Sequence, residues 1–236
     1  MLKKLGCYAI LICCILLVGC NNVFKSIQKP NAKISWIDFI KFNNKIYYSG
    51  VSSNKMKLTK EDLDKELYKV KFNVADNVHD PEYKNKNGDA AFLPVNTEIY
   101  SIKDYSSDFC LAAYDRNREL VLYVADSNPK AKKGEDLLDI KDKVESISIN
   151  SKVDGKEITS LTDEKLINKM VDMVLKAPVD TRRREYNDNR YFIEFHLKRG
   201  INVSRCYFID YGELDRGIML SKEFTEIIQK AVEGKE

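Results

Sequence analysis

The amino-acid sequence predicts an α+β fold with a β-rich domain over residues 34–142 and a two-layer domain over residues 143–236. The first half contains short runs of β-branched and aromatic residues, separated by turns rich in Asn, Gly and Pro. The second half adds two segments whose apolar residues recur at helical spacing, which predicts a sheet covered by two helices. A hydrophobic content of 44% allows a chain of this length to bury a core.

The first half is predicted to begin with a hairpin over residues 34–51. Asn43 and Asn44 are its turn, because Asn tolerates the positive φ angles that tight hairpins require. Thr59 with Asp62 is a plausible N-cap for a short helix that ends at about Leu67. Further strands are predicted, in order, over residues 70–74, 91–102, 109–114 and 120–125.

The second half is predicted to follow the order β-β-α-β-β-β-α. Its first helix begins at Thr162 and ends before Pro178, which cannot continue a helix. Two strands over residues 190–198 and 201–209 are joined by Lys198-Arg199-Gly200, which suits a three-residue turn with Gly in the left-handed conformation. Ser221 then caps a helix with one apolar face.

The first twenty residues have the pattern of a secretory signal. Lys3 and Lys4 precede an apolar run of about 14 residues, shorter than the roughly 20 that a membrane-spanning helix needs. The run ends in Leu17-Val18-Gly19-Cys20, which resembles the bacterial lipobox. This resemblance implies cleavage after residue 19 and diacylglycerol on the Cys20 sulfur. Residues 20–33 are then a lipidated tether at the outer face of the cell membrane.

The net charge and the cysteine content argue against a nucleic-acid-binding protein and against a metal site. The predicted signal peptide holds two lysines and no acids, so removing it lowers the net charge from +3 to about +1. This balance argues against nucleic acid as a partner. Cleavage also removes three cysteines, leaving Cys110 and Cys206 beside the acylated Cys20. We expect these two to be buried free thiols, and the pattern indicates no metal site and no cofactor.

Two stretches resemble known lipoproteins. Gly88-Asp89-Ala90-Ala91-Phe92-Leu93-Pro94 through Thr97-Glu98-Ile99-Tyr100 is similar to a segment in lipoproteins of spore-forming Gram-positive bacteria. Residues 144–232 resemble the YhfM-like domain of such lipoproteins. In the pattern of the first stretch, glycines precede the threonine and a later tyrosine; this chain has Asn96 and Asp104 at those positions. The resemblance implies a lipoprotein and no particular reaction or catalytic residue.

The sharpest charge cluster is Arg182-Arg183-Arg184, which follows the first long helix. Such a cluster is able to bind anionic headgroups or wall polymers, at about 1 kcal/mol per charge near an anionic membrane. The alternative is a solvated loop in which the arginines pair with Asp180 and Glu185.

Two histidine patterns are weaker candidates. His79 lies among Asp76, Asn77 and Asp80, but no second histidine stands at ligand spacing, which favours a turn ended by Pro81. His196 and Cys206 suggest a thiol nucleophile and its base. The predicted three-residue turn places Cys206 opposite Phe192, roughly 13 Å along the hairpin from His196, so we expect a structural role for both.

Together these patterns favour a membrane-anchored extracytoplasmic lipoprotein that acts by binding at the cell envelope rather than by catalysis. Its expected partners are the membrane, through the lipid on Cys20, and an envelope protein or anionic polymer. The alternative is an envelope hydrolase that uses carboxylates distant in sequence, since paired acids need no local motif.

The lipobox predicts that Cys20→Ala abolishes palmitate labelling and leaves the chain released or uncleaved, because no other residue of the pattern can carry the lipid. Metabolic labelling followed by membrane fractionation measures both effects. Cys14→Ala is the matched control and should label normally. Unchanged labelling of the Cys20→Ala protein would contradict the assignment.

Overall fold

The computed structural model describes residues 34–49, 58–126, 128, 130–182 and 184–234, and these form an α+β fold. Two sheets and three α-helices lie within this part of the chain, which confirms the predicted fold class. The predicted signal peptide, Cys20 and the tether lie outside the described residues. No helix within the described ranges is long and apolar enough to cross a membrane.

The first sheet contains eight strands from the first half of the chain, in the order β3-β6-β7-β8-β2-β1-β5-β4. All neighbours are antiparallel except β4 and β5. The strands are β1 (Phe39–Phe42), β2 (Lys45–Tyr48), β3 (Leu63–Lys69), β4 (Phe72–Asn73), β5 (Asp89–Ala90), β6 (Glu98–Ile102), β7 (Cys110–Tyr114) and β8 (Leu120–Ala125), with a short helix α1 (Val74–Asn77) after β4.

Turn residues in the first half behave largely as predicted. Asn43 and Asn44 connect β1 and β2 with φ angles of 49° and 62°. Asn96 and Asp104 also adopt positive φ angles, of 70° and 68°. Asn and Asp tolerate this conformation better than most other non-glycine residues.

The helix predicted from Thr59 to Leu67 is wrong. Only a single 3-10 turn, Lys60–Asp62, follows Thr59, with Asp62 Oδ2 accepting from Thr59 N at 2.9 Å. The chain then enters β3, which pairs with β6 at the edge of the sheet. The spacing of Leu63 and Leu67 is helical, but pairing of the backbone with a neighbouring strand outweighs this weak local preference.

The second sheet contains six antiparallel strands from the second half, in the order β10-β9-β11-β12-β13-β14. Its elements are β9 (Val144–Asn150), β10 (Glu157–Leu161), α2 (Glu164–Lys176), β11 (Arg190–Leu197), β12 (Ile201–Phe208), β13 (Glu213–Leu214), β14 (Ile218–Met219) and α3 (Lys222–Glu233). The β11–β12 turn has the predicted length, since Leu197 pairs with Ile201. Arg199 and Gly200 in this turn have φ angles of 65° and 67°.

The two long helices cover one face of the second sheet. Asp163 caps α2 by accepting from Leu166 N at 2.8 Å, and Ala177 and Pro178 follow its last turn. Side chains of alternate strand residues, such as Phe195 and Tyr207, are buried beneath the helices. Tyr207 meets Phe224 of α3 edge to face at 5.4 Å between ring centroids. The opposite face of this sheet carries polar side chains and the candidate site.

Strands of the first sheet end at Ala125 and those of the second begin at Val144, on either side of the predicted boundary after residue 142. One hydrophobic cluster includes buried side chains from both sheets, among them Leu122 and Ile147. Arg199 also pairs with Asp62 and Asp104 of the first half. Separate folding of the two halves stays a prediction.

Residues 78–83, which include His79, belong to a different compact unit from residues 35–77 and 84–234. They contain the turn expected near Pro81: Tyr83 N donates to Asp80 O at 3.1 Å, and Glu82 N donates to Asp80 Oδ1 at 3.0 Å.

The segment between the sheets is fixed against α2 at Gly134. A Cβ at this position would lie 2.0 Å from the carbonyl oxygen of Val174, and Gly134 N donates to Ala177 O at 2.9 Å. Gly134→Ala should therefore lower the free energy of unfolding by about 1–3 kcal/mol, as overpacking typically does. Urea-induced unfolding measures this change.

Gly234→Ala is the control, because a Cβ there would meet only Lys230 O, at an ordinary 3.5 Å. We expect its effect to stay within about 0.5 kcal/mol. Equal stabilities of the two variants would contradict the close approach at Gly134.

Candidate functional site

A cleft of about 720 Å³ opens on the face of the second sheet that the helices leave free. Its floor is formed by two cross-strand pairs of β11 and β12, Arg190 with Phe208 and Phe192 with Cys206. Because side chains alternate along a strand, these four point away from the buried Ile193 and Tyr207. Glu213 of β13, which pairs with Phe208, extends the floor.

One wall of the cleft is the segment that follows α2. Asp180 N donates to Gly217 O at 2.8 Å and attaches this segment to the turn between β13 and β14. A Cβ on Gly217 would lie 2.2 Å from Asp180 O, and Gly217 has a φ of +84°. Only glycine meets both conditions without displacing the wall.

The wall and the floor are joined through Arg184. Its guanidinium bonds both Asp180 Oδ2 and Glu213 Oε2, the latter at 2.7 Å. Tyr186 Oη donates to the other oxygen of Glu213 at 2.7 Å. Glu213 is only 1% exposed, so both of its carboxylate oxygens are satisfied inside the protein. Hydrogen bonds from Arg182, together with those from Arg184, hold the pKa of Asp180 well below its usual range.

The predicted arginine cluster is divided by the fold. The Arg184 side chain is 18% exposed within the cleft, whereas that of Arg182 is 84% exposed. Arg182 Nε nevertheless donates to Asp180 at 3.0 Å. Arg183 lies outside the described residues. Asp180 is thus a partner, as the solvated-loop alternative expected, and Arg184 also pairs with Glu213, which that alternative did not name. Binding of anionic surfaces by the three arginines stays a prediction.

Two further charges of the cleft have weaker contacts. Arg190 approaches Asp188 only at 3.5 Å, and its buried Nε has no hydrogen-bond partner among the described residues. Asp215 Oδ1 lies 3.7 Å from Arg205 Nε and likewise has no hydrogen-bond partner in the described part of the chain, while Oδ2 accepts from Cys206 N at 3.4 Å. These distances exceed those of good charge-assisted hydrogen bonds, which are about 2.7–2.9 Å.

Cys206 lies between these two charges. Burial raises the pKa of its thiol to about 11, Arg190 opposes this rise, and Asp215 adds to it. The thiol is half-buried and lines the cleft, which corrects the expectation that it is fully buried. The strand alternation was predicted correctly, but the face containing Cys206 is the one without helices. Cys110 is fully buried, and both thiols are free as predicted.

Aromatic rings form the apolar part of the cleft. Tyr186 stacks on Phe208 with 4.0 Å between ring centroids and an angle of 20° between the rings. Tyr211 meets Tyr186 edge to face at 5.7 Å. Stacking on one side and the bond to Glu213 on the other fix the Tyr186 ring at the rim of the cleft.

A second polar cluster lies on the same face of the sheet. Ser148 Oγ is 2.8 Å from His196 Nε2, and His196 Nδ1 is 3.1 Å from Asn202 Oδ1. This order resembles that of a serine hydrolase triad. However, Ser148 is 2% exposed and donates its single hydroxyl proton to Glu157 at 2.7 Å, so its oxygen is not presented to a substrate.

Sequence reasoning missed this cluster because its members come from three strands. The predicted β11–β12 turn already placed His196 opposite Asn202, and the structure confirms this pairing. It also confirms that Cys206 lies opposite Phe192, away from His196. The position of Ser148 depends on the register between β9 and β11, which local sequence patterns do not predict.

Comparison with known proteins adds no functional assignment. No protein-family model, curated protein or solved structure matches this chain. No group of three or more His, Cys, Asp or Glu residues suited to a metal ion occurs within the described residues. The chemistry of the site therefore has to be inferred from the cleft itself.

Proposed function

We propose that this protein is a lipid-anchored lipoprotein at the extracytoplasmic face of the cell membrane that binds a small polar ligand from the envelope without transforming it. The lipobox-like sequence supports the anchoring, and the cleft above Cys206 supports the binding. The single observation that carries the binding function is the presence of weakly paired Arg190 and Asp215 within one concave, partly aromatic site.

The dimensions and composition of the cleft suit a ligand. Its volume of about 720 Å³ lies within the range of about 300–1,000 Å³ that is typical of small-molecule sites. Phe192, Phe208 and Leu137 offer apolar surface, and the charged groups offer orientation. This combination of apolar walls with a few polar groups is typical of binding pockets.

The charges of the cleft favour binding over the hydrolase alternative. General acid catalysis needs a carboxyl group that stays protonated near neutral pH. Asp180 is the opposite case, because its hydrogen bonds to Arg182 and Arg184 lower its pKa. Glu213 is held by Arg184 and Tyr186 on both oxygens. The hydrogen bonds of these two acids fix the wall of the cleft.

The binding function predicts that a small-molecule extract of the cell envelope stabilises the full-length protein against heat in a concentration-dependent way, because a ligand that binds only the folded state raises Tm. Cys206→Trp places a large side chain on the floor of the cleft, beside Arg190 and Asp215, and should abolish this increase by blocking that part of the site. Cys206→Ser leaves the space open and is the matched control. Thermal unfolding in mild detergent, with and without extract, measures the effect.

Unliganded Tm values of the two variants within a few degrees of each other would show that both fold. An equal response of Cys206→Trp and Cys206→Ser to the extract would contradict binding in this cleft, as would the absence of any response by the unaltered protein.

A further inference from the structure

Most of the charged side chains that line the cleft already form ion pairs within the protein. The lining contains four arginines and three acids. Removing the cation from a buried carboxylate costs far more than one hydrogen bond to a ligand returns. Glu213 therefore retains Arg184, and the other fixed pairs are Arg182 with Asp180 and Arg216 with Asp126.

Arg190 and Asp215 are the two charges of the cleft with the weakest contacts in the protein; Asp215 faces the buried Arg205 only at 3.7 Å and is able to keep that contact when it binds a ligand. Their ionic contacts in the protein, at 3.5 and 3.7 Å, are the long ones of the cleft. Both side chains are partly exposed, at 38% and 26%. One is a cation and the other an anion, so a ligand that carries a single sign of charge would satisfy only one of them.

Arg190 and Asp215 both lie next to Cys206 in the cleft. Arg190 is the diagonal neighbour of Cys206 across the β11–β12 pair, which corresponds to a backbone separation of about 7–8 Å. Asp215 accepts from the backbone of Cys206 at 3.4 Å and so lies beside that residue. A single small ligand that carries both a negative and a positive group is therefore suited to these two side chains.

We infer that the cleft takes a short peptide with free ends, whose carboxylate pairs with Arg190 and whose ammonium group pairs with Asp215. This inference rests on the ligand-binding function proposed above. The side chains of the peptide lie along Phe192 and Phe208 on the floor. A polyanion is disfavoured, because Asp180, Glu213 and Asp215 also line the cleft.

The test uses the full-length protein in mild detergent and four forms of one dipeptide, alanyl-phenylalanine. These are the free peptide, its C-terminal amide, its N-acetyl form and the form blocked at both ends. Isothermal titration calorimetry gives the affinity of each. Blocking either end should weaken binding by at least about tenfold, because each block removes one charge-assisted pair.

Three variants then assign each end to its partner. Arg190→Gln should remove the preference for the free carboxylate and keep the preference for the free amine. Asp215→Asn should do the reverse. Arg116→Gln is the control, because its guanidinium is 58% exposed, bonds Asp76 and does not line the cleft, and it should keep both preferences. A variant that merely misfolds would lose both preferences together.

Equal affinity for all four forms would overturn the inference, and so would the absence of binding by any of them. If the envelope extract still stabilises the protein through the cleft, that failure concerns the peptide alone and the proposed binding function stands. If the extract also has no effect on Tm, both proposals fall.

Discussion

The ion pair between Arg184 and the buried carboxylate of Glu213 is the interaction on which the candidate site depends. Glu213 belongs to the sheet and Arg184 to the segment after α2, so the pair fixes an irregular wall to a regular floor. A carboxylate that is 1% exposed requires a partner, because an unpaired buried charge is strongly destabilising. Tyr186 and Gly217 secure the same wall, the first through Glu213 and the second through the backbone of Asp180.

The charged side chains of the cleft therefore form two groups. One group is paired within the protein and supports its structure, and the other makes only long contacts and is accessible to a ligand. Arg184 and Asp180 satisfy each other and Glu213, and the guanidinium of Arg182 joins them from the surface. Two members of the arginine cluster, Arg182 and Arg184, are thus paired with acids in the fold. Arg190 and Asp215 are the side chains that we propose to contact the ligand, and the sequence does not distinguish them from other surface charges.

Local sequence patterns predict the positions of helices and turns better than they predict which strands pair with one another. The helices after Asp163 and Ser221 and the turn at Lys198–Gly200 follow from apolar spacing and turn chemistry, and the structure confirms them. The segment after Thr59 was assigned wrongly, because its pairing with β6 is not visible in local sequence. The cleft was not predictable, since its residues extend from Asn128 to Gly217 and meet only when β12 pairs with β11 and β13.

The most direct test of the site is protection of Cys206, which lies in the floor of the cleft. Iodoacetamide should modify it slowly at pH 9, and the rate should rise about tenfold per pH unit, because only the thiolate reacts and its pKa is raised to about 11. The modification is followed by mass spectrometry of the peptide that contains Cys206. Protection is measured at pH 7, where the α-amino group of the peptide is still largely protonated. We expect alanyl-phenylalanine to slow the reaction in a saturable way, and the doubly blocked peptide to have no effect. A rate of Cys206 modification that is unchanged by the free dipeptide would contradict the peptide site, and a rate unchanged by the envelope extract as well would contradict any ligand site in this cleft.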